Sequence, residues 1–239
     1  MGLVGVDEAG RGALAGPVVA GAVFLPKSFF QIRGRRQSVA AITDSKALQG
    51  EIRAKLFQTL QDWIQAGELL GATGSASVEE IEILNILGAT RLAMVRALES
   101  LQQAGGDHWV LERVDKESLL EPPDSDKNPT GPCPRLVLDG RPMRSFPYTH
   151  ESLVQGDGKS LSIAMGSILA KVTRDRQLVE LEADFPGYGF AEHKGYGTPA
   201  HREALHRRGP TPVHRPTFLR KILGEVVKSQ ERFDFDSAD

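Results

Sequence analysis

The chain has 239 residues, and its 29 Lys and Arg against 31 Asp and Glu give a formal charge of −2 at pH 7. An apolar fraction of 40% and a charged fraction of 25% are typical of a globular protein with a buried core. The sequence holds no run near the roughly 20 apolar residues that span a bilayer. A single cysteine, Cys133, excludes an intrachain disulfide scaffold. The first eight residues lack a basic region and include two carboxylates, so we expect no signal peptide and a cytoplasmic protein.

Apolar runs and glycines predict the elements of the first half. Residues 3–6 and 18–25 are predicted to be antiparallel strands joined by a glycine-containing turn, and the polar, basic segment 27–43 is predicted to be a loop. Apolar residues at steps of four predict a helix over 50–66, followed by a strand at 69–74. Ser77 and Glu80 have capping-box spacing, which predicts a helix that begins there and ends at the glycines 105 and 106.

The second half begins with strand-like residues at 109–111 and 136–138, separated by a proline-rich segment. Five prolines between 121 and 134 indicate a surface insertion, which we place at 113–134. A short strand is predicted at 153–154 and a long helix at 162–181. Beyond 186 the pattern is helical or irregular. This order predicts an α/β fold with a C-terminal helical region.

Four carboxylates follow predicted strands: Asp7, Glu8, Asp139 and Asp157. Crowded carboxylates repel one another and lose hydration, and a hard divalent cation such as Mg²⁺ supplies the missing positive charge. Neighbouring strand residues point to opposite faces, so Asp7 and Glu8 converge only if the chain leaves extended geometry after them. Alternatively, Asp139 and Asp157, each beside a glycine, are ordinary turn residues. Spacing alone leaves both interpretations open.

The turn after the first strand contains Gly10, Arg11 and Gly12. Glycines allow a backbone to approach a sugar or phosphate closely, and an arginine neutralises charge there. A tight hairpin turn is an equally good interpretation. The segment is neither a Walker A loop nor a dinucleotide-binding motif.

A local basic patch follows near the C-terminus, between residues 201 and 221. Its members are Arg202, Arg207, Arg208, Arg215, Arg220 and Lys221, with Glu203 as the one acid. Such a patch is typical of a phosphate-contacting surface, and a solvated helix face is the alternative. Tyr196, flanked by glycines and close to Lys194, is placed to stack on a sugar or base, or else to lie at the edge of the core. Four histidines between 193 and 214 lack a zinc-site spacing.

Several longer motifs occur in a recognisable order, beginning with Gly-Val-Asp-Glu-Ala-Gly-Arg-Gly at 5–12. The others lie at 15–18, 44–46, 85–87, 138–140, 156–157, 167–175, 188–190, 193–196 and 214–215. Together they resemble bacterial ribonuclease HII over about residues 3–223. The resemblance implies a ribonuclease H-like fold, in which a mixed β-sheet is flanked by helices. It also implies an endonuclease that cuts the RNA strand of RNA–DNA hybrids and single ribonucleotides embedded in duplex DNA.

The resemblance also assigns roles to individual residues. Asp7, Glu8, Asp139 and Asp157 match the four catalytic carboxylates, which would hold Mg²⁺ or Mn²⁺, two ions when substrate is bound. The glycine–arginine–glycine segment matches the loop that reads the 2′-hydroxyl, and Tyr196 matches the tyrosine that packs on the sugar at the RNA–DNA junction. We expect Lys46, Lys194 and the basic patch to contact substrate, and Arg174 with Asp175 to tie the long helix to the core.

The same resemblance predicts the organisation of the chain. Residues 1–185 would form the catalytic core, 186–228 a helical substrate-binding region, and 229–239 a disordered tail. We expect a monomer without an obligate protein partner or membrane association, acting on RNA–DNA hybrid and ribonucleotide-containing DNA. Three rival interpretations are a ribonuclease HIII-like enzyme, another ribonuclease H-like nuclease, and an inactive binder of hybrids. The first is disfavoured because the predicted catalytic strand begins at residue 3.

Overall fold

The computed structural model describes residues 2–39, 42, 50–106, 109–114 and 133–223. The strands in these ranges are β1 (Gly2–Ala9), β2 (Val18–Pro26), β3 (Leu70–Ala76), β4 (Arg135–Asp139) and β5 (Glu151–Leu153). The α-helices are α1 (Arg35–Val39), α2 (Gly50–Gln65), α3 (Val78–Gly105), α4 (Leu161–Asp184), α5 (Phe190–His193), α6 (Pro199–Arg208) and α7 (Pro216–Leu223). Short 3₁₀ helices cover Lys27–Gln31 and Gly156–Gly158.

The five strands form one mixed sheet in the order β3-β2-β1-β4-β5. Strand β1 is antiparallel to β2, as the sequence predicts, and parallel to β4, which is parallel to β5. The carboxyl ends of β1, β4 and β5 therefore lie along the same edge of the sheet. This topology confirms the predicted α/β fold, and it brings the strand ends that carry Asp7, Glu8 and Asp139 to the same edge of the sheet.

The chain divides into two compact units. The first comprises Met1–Ala9, Val19–Ser75 and Thr90–Thr173, and the second comprises Gly10–Val18, Ala76–Ala89 and Arg174–Asp239. The core of the first unit is built from β2, α2 and α4, and includes Phe29, Leu60 and Met165. The core of the second is smaller and includes Leu178 and Phe190.

Helix α4 lies directly against the sheet of the first unit because glycines face one another there. A Cβ at Gly21 would lie 2.2 Å from the carbonyl oxygen of Gly166, and a Cβ at Gly5 would lie 2.3 Å from the backbone nitrogen of Ile163. Both approaches are far inside van der Waals contact, so no side chain fits at either position. The start of α4 is thereby fixed against β1, the strand that carries Asp7 and Glu8.

Most of the predicted elements are confirmed, including the capping box at the start of α3. The Ser77 backbone N–H donates to Glu80 Oε2 at 3.0 Å, and the Glu80 N–H donates to Ser77 Oγ at 3.2 Å. Inside α3 the backbone of Asn85 has φ 57° and ψ 170°, and its side-chain oxygen accepts from the N–H groups of Leu87 and Gly88, which restart the helix after the kink.

Two sequence predictions are wrong. Residues 27–43 are not simply a loop, since a 3₁₀ helix and α1 occur there, and the buried Arg35 guanidinium lies over the Phe29 and Trp63 rings. Residues 109–111 do not form a strand. The Trp109 ring instead stacks on Phe24 at 5.0 Å, and the nearby backbone pairs with residues 147–149 through only an isolated bridge at Arg113.

Other predictions concern residues outside the described ranges. Most of the proposed insertion at 113–134, the segment 44–46 with Lys46, and the tail beyond 223 belong to this group. Within the described residues, no helix combines the length and apolar character needed to cross a membrane.

Candidate active site

All four predicted catalytic carboxylates belong to the first unit. Asp7 and Glu8 lie near the carboxyl end of β1, and Asp139 is the last residue of β4. Asp157 lies in the 3₁₀ helix that follows β5. Asp7 and Asp157 are both only 4% exposed, which is unusual for carboxylates and requires nearby compensation.

Backbone N–H groups hold two of these carboxylates in place. Asp7 Oδ1 accepts from the Glu8 N–H at 2.7 Å, and Asp139 Oδ1 accepts from the Gly156 N–H at 2.6 Å. A Cβ at position 156 would lie 3.2 Å from Asp139 Oδ1 and 2.6 Å from Ile163 Cδ1. A side chain at position 156 would therefore crowd the Asp139 carboxylate and the end of the Ile163 side chain, and the bond fixes the end of β4 to the turn that carries Asp157. Asp139 and Asp157 do lie at turns, as the alternative interpretation predicts, but that interpretation does not explain why the Asp139 side chain lies beside the turn that carries Asp157.

The carboxylates influence one another electrostatically. Burial, and then the negative charge of Glu8, raises the pKa of Asp7 from 3.8 to about 7, and Asp139 adds to this effect. A hydrogen bond from Ser167 on α4 acts in the opposite direction. Burial and the neighbouring negative charges therefore disfavour the ionised form of Asp7. Sequence reasoning did not single out Ser167, because a lone serine in a helix carries no distinguishing signal.

The chemistry of these donors fits a hard divalent cation, since every functional group is a carboxylate oxygen. The side chains do not form a ready-made cage: within the residues that the structure describes, no three His, Cys, Asp or Glu side chains are gathered closely enough to hold a metal ion. Carboxylates repel one another and are expected to stay apart until a cation compensates their charge. The raised pKa of Asp7, whose ionised form a nearby cation would favour, indicates where a cation would be attracted.

The predicted binding loop belongs to the second unit, where two buried arginines hold it. Arg174 donates at 2.9 Å to the carbonyl oxygens of Ala15, Pro17 and Lys194. Arg215 donates to the carbonyls of residues 11, 16 and 17 at 2.7–3.1 Å. Burial lowers the pKa of both guanidinium groups, yet their N–H groups are directed at carbonyl oxygens. The loop therefore has a fixed backbone conformation.

This arrangement corrects the predicted basic patch. Arg215 is fully buried and its guanidinium contacts backbone carbonyls, so it is not available at the surface for phosphate. Arg202, Arg207, Arg208 and Arg220 are exposed, as predicted. Sequence reasoning counted Arg215 by its charge, and nothing local distinguishes a buried arginine from an exposed one.

The two glycines of the loop differ in their surroundings. Gly10 has φ +93°, and a Cβ there would lie 1.9 Å from Arg174 Nε. Gly12 is exposed, has no positive φ, and a Cβ added to it would meet nothing within 4 Å. The fold therefore requires a glycine at position 10 but not at position 12. Arg11 is exposed between them.

Tyr196 and Lys194 follow the short helix α5 in the second unit. Tyr196 is 36% exposed, and the centroid of its ring lies 5.4 Å from the Arg174 guanidinium carbon. The Lys194 ammonium donates to the Ala191 carbonyl, and its backbone has φ 53°. An exposed ring backed by a cation has one face against the protein, which leaves the remainder for a ligand.

Comparison with known proteins shows which family the chain resembles. The family model described as Ribonuclease HII matches residues 4–124 and 139–221. A ribonuclease HII from Syntrophotalea carbinolica is 42% identical over 90% of this chain and 84% of its own length. One from Burkholderia mallei is 46% identical over 90% of this chain and 81% of its own length.

Solved structures show the same fold. Ribonuclease H2 from Pyrococcus horikoshii aligns with a TM-score of 0.64 at 25% identity, covering 99% of this chain and 100% of that one. Bst-RNase HIII, solved in complex with Mn²⁺, aligns with a TM-score of 0.59 at 16% identity, over 87% of this chain and 63% of that one.

The mixed sheet and the likeness to ribonuclease H2 place the chain in the ribonuclease H-like class, and its relatives are metal-dependent nucleases. Within that class, the family-model match and the identity to bacterial relatives decide the family. The chain belongs to the ribonuclease HII family.

Proposed function

We propose that this ribonuclease H hydrolyses the RNA strand of RNA–DNA hybrids and also cuts on the 5′ side of single ribonucleotides embedded in duplex DNA. Asp7, Glu8, Asp139 and Asp157 would hold two divalent ions, Mg²⁺ or Mn²⁺. The observation that carries this proposal is the buried Asp7 carboxylate, whose pKa is raised by burial and by the negative charges of Glu8 and Asp139 at the ends of β1 and β4. Such a group is costly to a fold unless it has a use.

Bound ions of this kind activate water and stabilise the charge that develops on the phosphate, leaving 5′-phosphate and 3′-hydroxyl ends. The chain's own contribution is to hold the ligands. The Glu8 N–H orients the Asp7 carboxylate, and the Gly156 N–H orients that of Asp139. Because both donors are backbone groups, this orientation costs little reorganisation when substrate arrives.

The second unit would recognise the ribonucleotide. We propose that the backbone of Gly10, Arg11 and Gly12 reads the 2′-hydroxyl, the feature that distinguishes RNA from DNA at a given site. Support comes from Gly12, which folding alone does not require. Tyr196 would pack on the sugar at the junction, Lys194 would contact the nearby backbone, and the exposed arginines of α6 would contact phosphates.

Replacing Asp139 tests the assignment of the carboxylates. On an RNA–DNA hybrid with Mg²⁺ or Mn²⁺, Asp139→Asn is expected to lower kcat by about 100-fold or more, because a metal ligand supplies several kcal/mol of transition-state stabilisation. Hybrid binding, measured by fluorescence anisotropy, should be largely retained.

The matched control is Asp62→Asn, which removes an exposed carboxylate of α2 in the same unit. It should cleave like the wild type. Normal turnover by Asp139→Asn would refute the assignment. Binding without cleavage by the wild type in both metals would favour an inactive hybrid binder.

A further inference from the structure

Three histidines of the second unit are packed against one another although the proposed chemistry does not use them. His193 stacks on His201 with ring centroids 4.2 Å apart, and His201 Nε2 lies 3.1 Å from His214 Nε2. His201 is 0% and His214 2% exposed. The aromatic rings of Tyr188 and Phe190 complete their surroundings.

The hydrogen bonds at the two ends of the His214–His201 pair determine where the protons are. The Thr211 backbone N–H donates to His214 Nδ1 at 3.0 Å, so that nitrogen is an acceptor and His214 carries its proton on Nε2. At the other end, His201 Nδ1 lies 3.0 Å from the Tyr196 carbonyl oxygen, which can only accept. His201 therefore carries its proton on Nδ1.

The two tautomers, each fixed by a different backbone group, place a donor and an acceptor at the contact between the rings. His214 Nε2–H donates to the bare Nε2 of His201, and the chain of bonds runs in one direction from Thr211 to Tyr196. A second proton on either ring would place two N–H groups against each other. In agreement, burial as the main cause lowers the pKa of His201 to about 4 and of His214 to about 3.

The chain of hydrogen bonds ends at the backbone carbonyl of Tyr196, the residue whose ring is proposed to contact the sugar. The Tyr196 carbonyl also accepts from the Thr198 N–H at 2.8 Å, and the Tyr196 N–H donates to the His193 carbonyl at 3.0 Å. Thr198 caps α6 by accepting from the His201 N–H. The Tyr196 carbonyl is thus held by the His201 ring and the Thr198 N–H, and the Tyr196 N–H is held by the His193 carbonyl.

We propose that His214 and His201 form a neutral two-ring hydrogen-bond relay that holds the Tyr196 backbone and so positions its ring for the sugar at an RNA–DNA junction. Both histidines are positioning residues, because neither is proposed to touch substrate. The proposal rests on the proposed function in one respect, namely that Tyr196 contacts nucleic acid.

The relay itself is tested in the wild-type protein by two-bond ¹H–¹⁵N correlation NMR at pH 7. We expect His214 protonated on Nε2 and His201 on Nδ1, the less common tautomer of free histidine. Finding His201 protonated on Nε2, or either ring as an imidazolium, would overturn the proposal. This measurement requires neither substrate nor a variant.

The positioning role is tested with two replacements of similar size at residue 201. His201→Asn places an amide N–H near the former Nδ1 and can still donate to the Tyr196 carbonyl. His201→Gln extends its amide toward the former Nε2 and leaves that carbonyl without the side-chain donor. The readout is junction preference, defined as kcat/KM on a duplex with one ribonucleotide divided by kcat/KM on a continuous hybrid.

Loss of one hydrogen bond predicts a fall in junction preference of about 5-fold in His201→Gln, with His201→Asn within about 2-fold of wild type. Tyr196→Ala is the reference. If it lowers the preference while both His201 variants behave alike, the relay does not position Tyr196 and the proposed function stands. If Tyr196→Ala has no effect, the proposed Tyr196 contact and the relay's role are both refuted.

Discussion

At the scale of single residues, the two glycines of the binding loop differ: the fold requires Gly10, whereas Gly12 is proposed to serve substrate recognition. Gly10 combines a positive φ with a close approach to Arg174, whereas Gly12 has neither constraint. Both belong to one short motif, and the sequence treats them as equivalent. Only their surroundings show that one glycine serves the fold and that the other is available for a ligand.

Alanine replacements are expected to separate these roles. Gly10→Ala should lower the free energy of unfolding by about 2 kcal/mol or more, since it adds backbone strain and displaces Arg174. Gly12→Ala should stay within about 0.5 kcal/mol of wild type. It should nevertheless lower kcat/KM on a duplex with one ribonucleotide, because its methyl group occupies space where the sugar would approach.

Urea unfolding and cleavage assays on both variants check this prediction. A destabilised Gly12→Ala would mean that the glycine serves packing after all. Wild-type cleavage by a well-folded Gly12→Ala would remove the support for close backbone approach at this position.

At the scale of elements, α6 and the turn before α7 carry the buried side chains of His201 and His214, whose lowered pKa values keep them neutral at pH 7. A histidine whose pKa is lowered on folding binds its proton more readily in the unfolded chain, so the folded state loses stability as pH falls below the unfolded value near 6.5. For His201 and His214 the loss continues until pH approaches their folded values of about 4 and 3.

We therefore expect the free energy of unfolding to fall between pH 6.5 and 4, by up to about 1.4 kcal/mol per pH unit for each of the two histidines. The raised pKa of Asp7 acts in the opposite direction, since its stabilising contribution is lost as pH rises through about 7. The comparison is therefore made in an Asp7→Asn background. There, His214→Gln should give a shallower slope in urea titrations at pH 7, 6 and 5, and an unchanged slope would contradict the prediction.

Elements with a local signal were predictable from the sequence, and contacts distant in sequence were not. The Ser77–Glu80 capping box and the strand pair 3–6 with 18–25 carry their own patterns, and both are confirmed. Residues 109–111 have a strand-like composition, but within the part of the chain that the structure describes no strand forms a ladder with them. The burial of Arg215 depends on carbonyl groups about 200 positions away, which no local pattern reveals.

The candidate site was predictable mainly through its family motifs. Carboxylates after strands are common in turns, and spacing alone could not decide between a turn and a site. The parallel arrangement of β1 and β4 and the bond from the Gly156 N–H to Asp139 place the end of β4 beside the turn that carries Asp157, which spacing does not reveal. The histidine pair gave no signal because the two rings meet only in the folded chain, 13 residues apart in sequence, and the bonds at its two ends include backbone groups.

At the scale of the whole molecule, the proposed functions are divided between the two units. The carboxylates belong to the first, while the loop at 10–12 and Tyr196 belong to the second. This division predicts that chemistry and ribonucleotide recognition can be altered separately. Replacing a carboxylate should abolish turnover on every substrate, whereas replacing Gly12 or Tyr196 should change which substrates are preferred.

The most direct measurement uses end-labelled duplex DNA that contains one ribonucleotide, incubated with the wild-type protein and Mg²⁺ or Mn²⁺. We expect a single cut on the 5′ side of the ribonucleotide, with no cut in EDTA, in an all-DNA duplex, or with Asp139→Asn. Cleavage confined to long RNA stretches, or cleavage that persists in Asp139→Asn, would contradict the account.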